Sequence, residues 1–157
     1  MKKQVDYIRW IPSILWMVFI FYLSHQGAGR SSALSSGITE TLHDIITTIL
    51  PWLNLELDFF HFLVRKSAHF TAYMILGIFV SHAMKPKDLK SHGITFLFCM
   101  LYAVSDEFHQ IFIPGRSGEL RDVLIDSAGA LTGILILLSI TYTKSRERSH
   151  NTMKKSA

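Results

Sequence analysis

Phe62-Leu63-Val64-Arg65-Lys66-Ser67-Ala68-His69-Phe70-Thr71-Ala72-Tyr73-Met74-Ile75-Leu76 opens an apolar run that reaches Ala83 and carries two cations and a histidine near its start. About 20 mostly apolar residues let an α-helix cross a hydrocarbon layer ~30 Å thick. A charge near the middle of that layer costs roughly 2.5 to 3.5 kcal/mol even on lenient insertion scales, so ionisable residues inside such a run are a functional signal. Three further runs have similar length and character: Ile8 to Ser24, Gly93 to Phe112 and Val123 to Tyr142. The third of the four ends in a second polar group, Asp106-Glu107-Phe108-His109-Gln110.

Composition agrees with this reading. The 157-residue chain is 49% hydrophobic and 18% charged, with a mean hydropathy of +0.28, a membrane-protein balance. The expected fold is an all-α membrane protein with four transmembrane helices plus an extracytoplasmic amphipathic helix. It forms one domain over 1–143, followed by a basic cytoplasmic tail, 144–157, that is read as disordered. The first run has the outline of a secretory signal, but Trp10, Trp16 and Tyr22 are bulky for one, and further spans follow, so it is read as a retained anchor. Cys99 is the single cysteine and lies inside an apolar run, so no disulfide framework exists.

Orientation follows from the basic residues. Lys2, Lys3, Arg9, Lys85, Lys87, Lys90, Lys144, Arg146, Arg148, Lys154 and Lys155 flank the runs on one side, which places both termini in the cytoplasm. The net charge of +4 suits an anionic inner leaflet, so membrane lipids rather than nucleic acid are the expected partners. The unusual polar residues then gather at the outer face: Ser24, His25 and Gln26; Arg65, Lys66, His69 and Tyr73; Asp106, Glu107, His109 and Gln110; and Arg116, Asp122 and Asp126.

Helical spacing groups them further, because residues three or four apart share a face. Arg65, His69 and Tyr73 form one stripe, Asp106 pairs with His109 and Gln110 while Glu107 points elsewhere, and Asp122 stacks on Asp126 above Gly129 and Gly133. The two glycines, four apart, allow close helix approach. Ser31 to Leu50 places Leu34, Ile38, Leu42, Ile45, Ile46 and Ile49 on one face, an amphipathic helix suited to an interface, either covering the bundle or acting as a lid. Trp52, Phe59, Phe60 and Phe62 are expected at headgroup depth. Pro114-Gly115-Arg116-Ser117-Gly118 is a turn by its residue chemistry.

Together these motifs resemble a known family. Arg65-Lys66-x-Ala68-His69-Phe70-x-x-Tyr73, Tyr102-Ala103-x-x-Asp106-Glu107-x-His109-Gln110-x-Phe112-x-Pro114-Gly115-Arg116 and Asp122-Val123-x-x-Asp126-x-x-Gly129 look like the VanZ-like family of bacterial membrane proteins. Ser24-His25-Gln26 is similar to that family's Ser-Ser-Gln end of the first helix, with His25 departing from it. The resemblance implies a multispanning protein of the cell envelope, in a family whose founding members are linked to teicoplanin resistance; it implies no settled reaction.

Chemistry is expected at the outer cluster. Arg65, Lys66 and Arg116 suit an anionic lipid headgroup or cell-wall precursor, with Tyr73, Gln110 and Asp122 as further binding groups. For an enzyme, His109 oriented by Asp106 is the general base or acid, His69 the second proton carrier, and Glu107 and Asp126 the remaining catalytic carboxylates. The same donors, His69, His109, Asp106, Glu107, Asp122 and Asp126, suffice for a divalent metal, although their spacing is not diagnostic. Structural ion pairing, binding or shielding of a precursor, and lipid flipping use the same residues without turnover. His25, His43, His61, His82, His92 and His150 are read as loop or interfacial histidines. No P-loop, dinucleotide fingerprint or serine elbow is present.

Overall fold

The computed structural model describes residues 7–50, 52 and 56–156, with side chains for all of these but 28–35, 38, 145 and 148–156. A 3-10 turn, Tyr7–Trp10, leads into five helices: α1 Ile11–Ser24, α2 Ala28–Ile49, α3 Leu57–Met84, α4 Leu89–Gln110 and α5 Leu120–Ser156. No strand occurs among the described residues.

Local chemistry sets the breaks. Pro12 falls in the first turn of α1, where its missing N–H would be unpaired in any case. α3 ends with Lys85 in the left-handed region (φ 49°), immediately before Pro86, which cannot extend the helical ladder. Asp88 then starts α4 by accepting a hydrogen bond from the Ser91 amide at 2.7 Å. The expected turn at 114–118 contains Gly115 at φ 76°, a conformation that favours glycine.

The segment expected to be a disordered tail is helical instead, because α5 continues to Ser156. After Gly133 the sequence holds neither glycine nor proline, so nothing in the chain breaks the helix. Its 37 residues correspond to about 55 Å at 1.5 Å per residue, well beyond one bilayer crossing.

The most extensive pairing joins α3 to α5, and small residues permit it. A Cβ at Gly129 would overlap the Phe70 carbonyl, one at Gly133 the Met74 carbonyl, and one at Gly77 the Ala130 carbonyl. The two backbones therefore meet directly, the close approach expected of small-residue seams. α1 is attached by side chains: Trp16 Nε1 donates to the Ala72 carbonyl at 2.8 Å, and Tyr102 of α4 donates to the Met17 carbonyl at 2.7 Å. Tyr73, Leu76, Val80, Cys99, Ala103 and Ala130 fill the space between.

The exterior is the reverse of a soluble protein's. Leu15, Val18, Leu101, Val104, Phe108, Leu131 and Leu135 are exposed, while Lys66, Asp106, Glu107, Gln110, Asp122 and Asp126 are buried. Two helical segments, Tyr7–Ser24 and Leu120–Lys144, are long and apolar enough to cross a membrane by length and composition. α3 and α4 carry the charged and histidine residues of the outer cluster, which lower their hydropathy.

The amphipathic helix begins three residues earlier than expected, at Ala28. Its apolar stripe is turned outward: Leu42, Ile45 and Ile49 are exposed, and α2 leans on α3 where His43 meets Phe60 edge-on at 5.6 Å. Leu34 and Ile38 lie outside the described side chains. Of the aromatics expected at headgroup depth, Phe60 is buried while Trp52 and Phe59 are exposed.

Candidate functional site

Four helix ends meet at one end of the bundle: the C-termini of α1 and α4 and the N-terminal halves of α3 and α5. Ser24 of α1 donates to Asp106 of α4 at 2.8 Å. His69 of α3 stands 3.5 Å from Asp126 of α5. Lys66 of α3 hydrogen-bonds Asp122 of α5 and lies 3.6 Å from Glu119.

The inward face of α4 explains much of this. At about 100° per residue, Asp106, Gln110 and Glu107 fall side by side on a helix, with Gln110 between the two carboxylates. All three are buried, together with Ala103 and Cys99 on the same side. Glu107, expected to point elsewhere, is 4% exposed and accepts from Gln110 Nε2 at 3.0 Å and from the Glu119 amide at 2.9 Å. His109 lies about 60° to the other side of Asp106, which turns it toward α1. There its Nε2 is 3.2 Å from His25 Nδ1, and its ring packs on Phe21 at 4.5 Å.

The one-turn pairing expected between Asp106 and His109 is thus replaced by two others. Asp106 takes the Ser24 hydroxyl, and His109 meets His25, which sequence reasoning had set aside as an interfacial residue. His69 is the histidine placed beside a buried carboxylate. The stripe of Arg65, His69 and Tyr73 runs inward from the mouth, with Arg65 exposed, His69 half-buried and Tyr73 1% exposed.

Two of the expected anion-binding cations are engaged within the protein. Lys66 is held by Asp122 and Glu119, with the Phe62 ring 5.3 Å away. Arg116 donates through Nε to the Gln26 carbonyl at 2.9 Å and through Nη1 to Gln110 at 3.2 Å, tying the loop between α4 and α5 to the end of α1. Burial, above all, lowers the Arg116 pKa; Arg65 adds to that and lies near enough to repel it, while the fields of Asp106 and Glu107 oppose the shift. The remaining Arg116 nitrogen, Nη2, faces the Leu23 carbonyl at 3.5 Å, while Arg65 is exposed.

Beneath that mouth the charge balance is acidic. Asp126 is fully buried, and neither of its carboxylate oxygens has a hydrogen bond; the second oxygen of Asp106 and the Tyr73 hydroxyl are also without one. Glu119, which contacts Lys66, Arg121 and Glu107, had no sequence signal beyond its place before α5.

The fold and the site together define a class: a helical bundle with an apolar exterior and a polar, histidine-containing cluster of side chains at one end. The VanZ/LLP1 family model matches residues 9–142. The chain belongs to this membrane-associated family. Searches of curated proteins and of solved structures gave no match.

Proposed function

We propose that the protein is a multi-pass membrane protein of the bacterial cell envelope whose polar site binds or processes a lipid-linked or cell-wall precursor at the outer face. Four helices, α1, α3, α4 and α5, cross the membrane, and both termini are cytoplasmic. The observation that carries this reading is the cluster of half-buried His69 with buried Glu107 and Asp126, one helical turn from the exposed Arg65. The exposed Arg65 holds an anionic headgroup, and His69, positioned by Asp126, transfers a proton at the bond being made or broken. His109, with His25, is the second proton carrier at the rim.

An apolar groove between α1 and α4 supports the lipid assignment. Its volume is about 310 Å3, and Ile14, Met17, Val18, Phe21 and Tyr102 line it. Because Phe21 also packs on His109, an acyl or isoprenoid tail in the groove leads its headgroup to the rim. Altered precursor pools at the surface would change susceptibility to glycopeptides such as teicoplanin.

Mass spectrometry of envelope lipids and wall precursors tests the reading, using cells that make wild type, His69→Ala, His109→Ala or no protein at matched membrane abundance. A precursor species that changes only with wild type is expected, with turnover in His69→Ala down at least ~100-fold, the usual scale of a lost acid-base group. Identical profiles in all four would overturn processing and leave the pocket as a binding or shielding device.

A further inference from the structure

We propose that His69, Glu107 and Asp126 form a binding site for one divalent transition-metal ion, Mn2+ or Zn2+. One ligand atom from each lies within 4.8 Å of the others, and the His69 Nδ1 to Asp126 Oδ1 separation is 3.5 Å. Ligands about 2.1 Å from an ion stand about 3.0 to 4.2 Å apart, so small inward movements complete the site. The three residues come from three different helices, so the ion would join α3, α4 and α5 at one point.

The second observation is the state of Asp126. It is fully buried, neither of its oxygens has a hydrogen bond, and its ion-pair contact is the half-buried His69 at 3.5 Å, whereas buried carboxylates are ordinarily fully paired or metal-bound. Nearby cations do not meet the need. Lys66 is given to Asp122 and Glu119, and Arg116 to Gln26 and Gln110. Asp106, Glu107 and Asp126 are left facing a single histidine.

Support around the ligands fits a metal as well. Each Glu107 oxygen receives one hydrogen bond, from Gln110 and from the Glu119 amide, which fixes the carboxylate while leaving lone pairs free. Carboxylates alone would suit Mg2+ or Ca2+; the imidazole donor favours Mn2+ or Zn2+. Remaining coordination positions fall to water or to an anionic oxygen of a headgroup. The inference rests on the proposed outer site and changes its chemistry, because with the ion bound His69 and Asp126 are ligands and proton transfer falls to His109 at the rim; its metal test is independent of that reading.

The full chain, purified in detergent and stripped with chelator, is titrated with Mn2+ and with Zn2+ alone; calorimetry gives the affinity and elemental mass spectrometry the metal content. Expected are one ion per chain, affinity lowered ~10- to 100-fold in Gln110→Leu, which removes the hydrogen bond to Glu107 together with the Arg116 contact, loss of the ion in His69→Ala and Asp126→Asn, and retention in His109→Ala. Size-exclusion profiles of the stripped variants check that the bundle is intact. A wild type that binds no stoichiometric ion overturns the proposal, as does an intact Asp126→Asn that binds like wild type, or an ion lost only in His109→Ala. Metal bound as expected beside unchanged precursor pools would overturn processing and leave the metal site standing; changed pools without metal would do the reverse.

Discussion

The α3/α5 and α1/α4 pairings each carry a histidine to the same end of the bundle, yet they are built differently. Across α3/α5 the backbones touch through Gly77, Gly129 and Gly133, and His69 meets a buried carboxylate. Across α1/α4 the contacts are side-chain reaches, Tyr102 to Met17 and Ser24 to Asp106, and His109 meets the exposed His25. A backbone-close seam fixes the relative rotation and depth of two helices to within a side chain's tolerance. A seam of long side chains leaves more latitude. The rigid seam accordingly holds His69 beside its buried carboxylate, and the looser one holds the two histidines that meet each other.

Breaking the rigid seam should have the largest effect. Gly133→Leu places a side chain where the Met74 carbonyl already lies, and no far end of a flexible chain is available to give way. Overpacking in a filled core typically costs about 1 to 3 kcal/mol, and a collision with backbone exceeds that. Loss of folded protein from the membrane fraction is expected for Gly133→Leu, while Phe21→Ala on the looser seam keeps it, as measured by immunoblot and detergent size exclusion. Equal abundance of the two variants would show that the seams do not differ in rigidity.

Next comes the buried pair on the α3/α5 side. Removing one partner, as in Lys66→Met, leaves Asp122 without its principal cation in a buried position, a loss of about 3 to 5 kcal/mol by analogy with other buried pairs. Lys66→Met combined with Asp122→Leu should recover most of that, because the stranded charge goes too. Thermal stability in detergent, compared across the single and double variants, checks it; a double variant as unstable as the single would mean that Glu119, also within reach of Lys66, is the partner that matters.

Much of this arrangement was legible in the residues. The apolar runs mark α1, α3, α4 and the first part of α5, and Ser24, Lys66, His69, Asp106, Glu107, Asp122 and Asp126 meet at one end of the bundle. Gly129 and Gly133 announced a close seam, although only the structure names Phe70 and Met74 as what they touch. What could not be read was azimuth. Spacing says that Asp106, His109 and Gln110 share a side of α4, but the direction in which that side faces depends on how α4 is rotated against α1 and α5. Glu107 therefore faces inward and His109 toward α1. For the same reason the partner of a carboxylate on one helix, Ser24 for Asp106 or His69 for Asp126, has no signature in either segment alone. Helix at 144–156 was missed because a polar, charged composition was weighed above the lack of any breaker.

The smallest effect should appear where α4 begins, remote from both histidines. α4 has no backbone-close seam of the α3/α5 kind to hold its first turn, so its start depends on a local device, the Asp88 cap on Ser91. Hydrogen bonding to the Ser91 hydroxyl, and then to its amide, holds the Asp88 carboxyl below its ordinary range. A folded-state pKa lower than the unfolded one gives stability that is complete above the unfolded pKa and disappears as pH falls through the folded one. The cap's contribution should therefore be steady near neutrality and fade below about pH 4, the ordinary aspartate range. Asp88→Ala should lower stability slightly at neutral pH and remove that part of the acid dependence, whereas Asp88→Asn keeps the cap without the titration. Amide hydrogen exchange over 89–95 reads it directly: faster exchange there in Asp88→Ala, with α3 and α5 unchanged, is the expected pattern. Faster exchange spreading into α5 would mean that α4 and the α3/α5 seam rise and fall together, and the contrast between rigid and loose pairings would not hold.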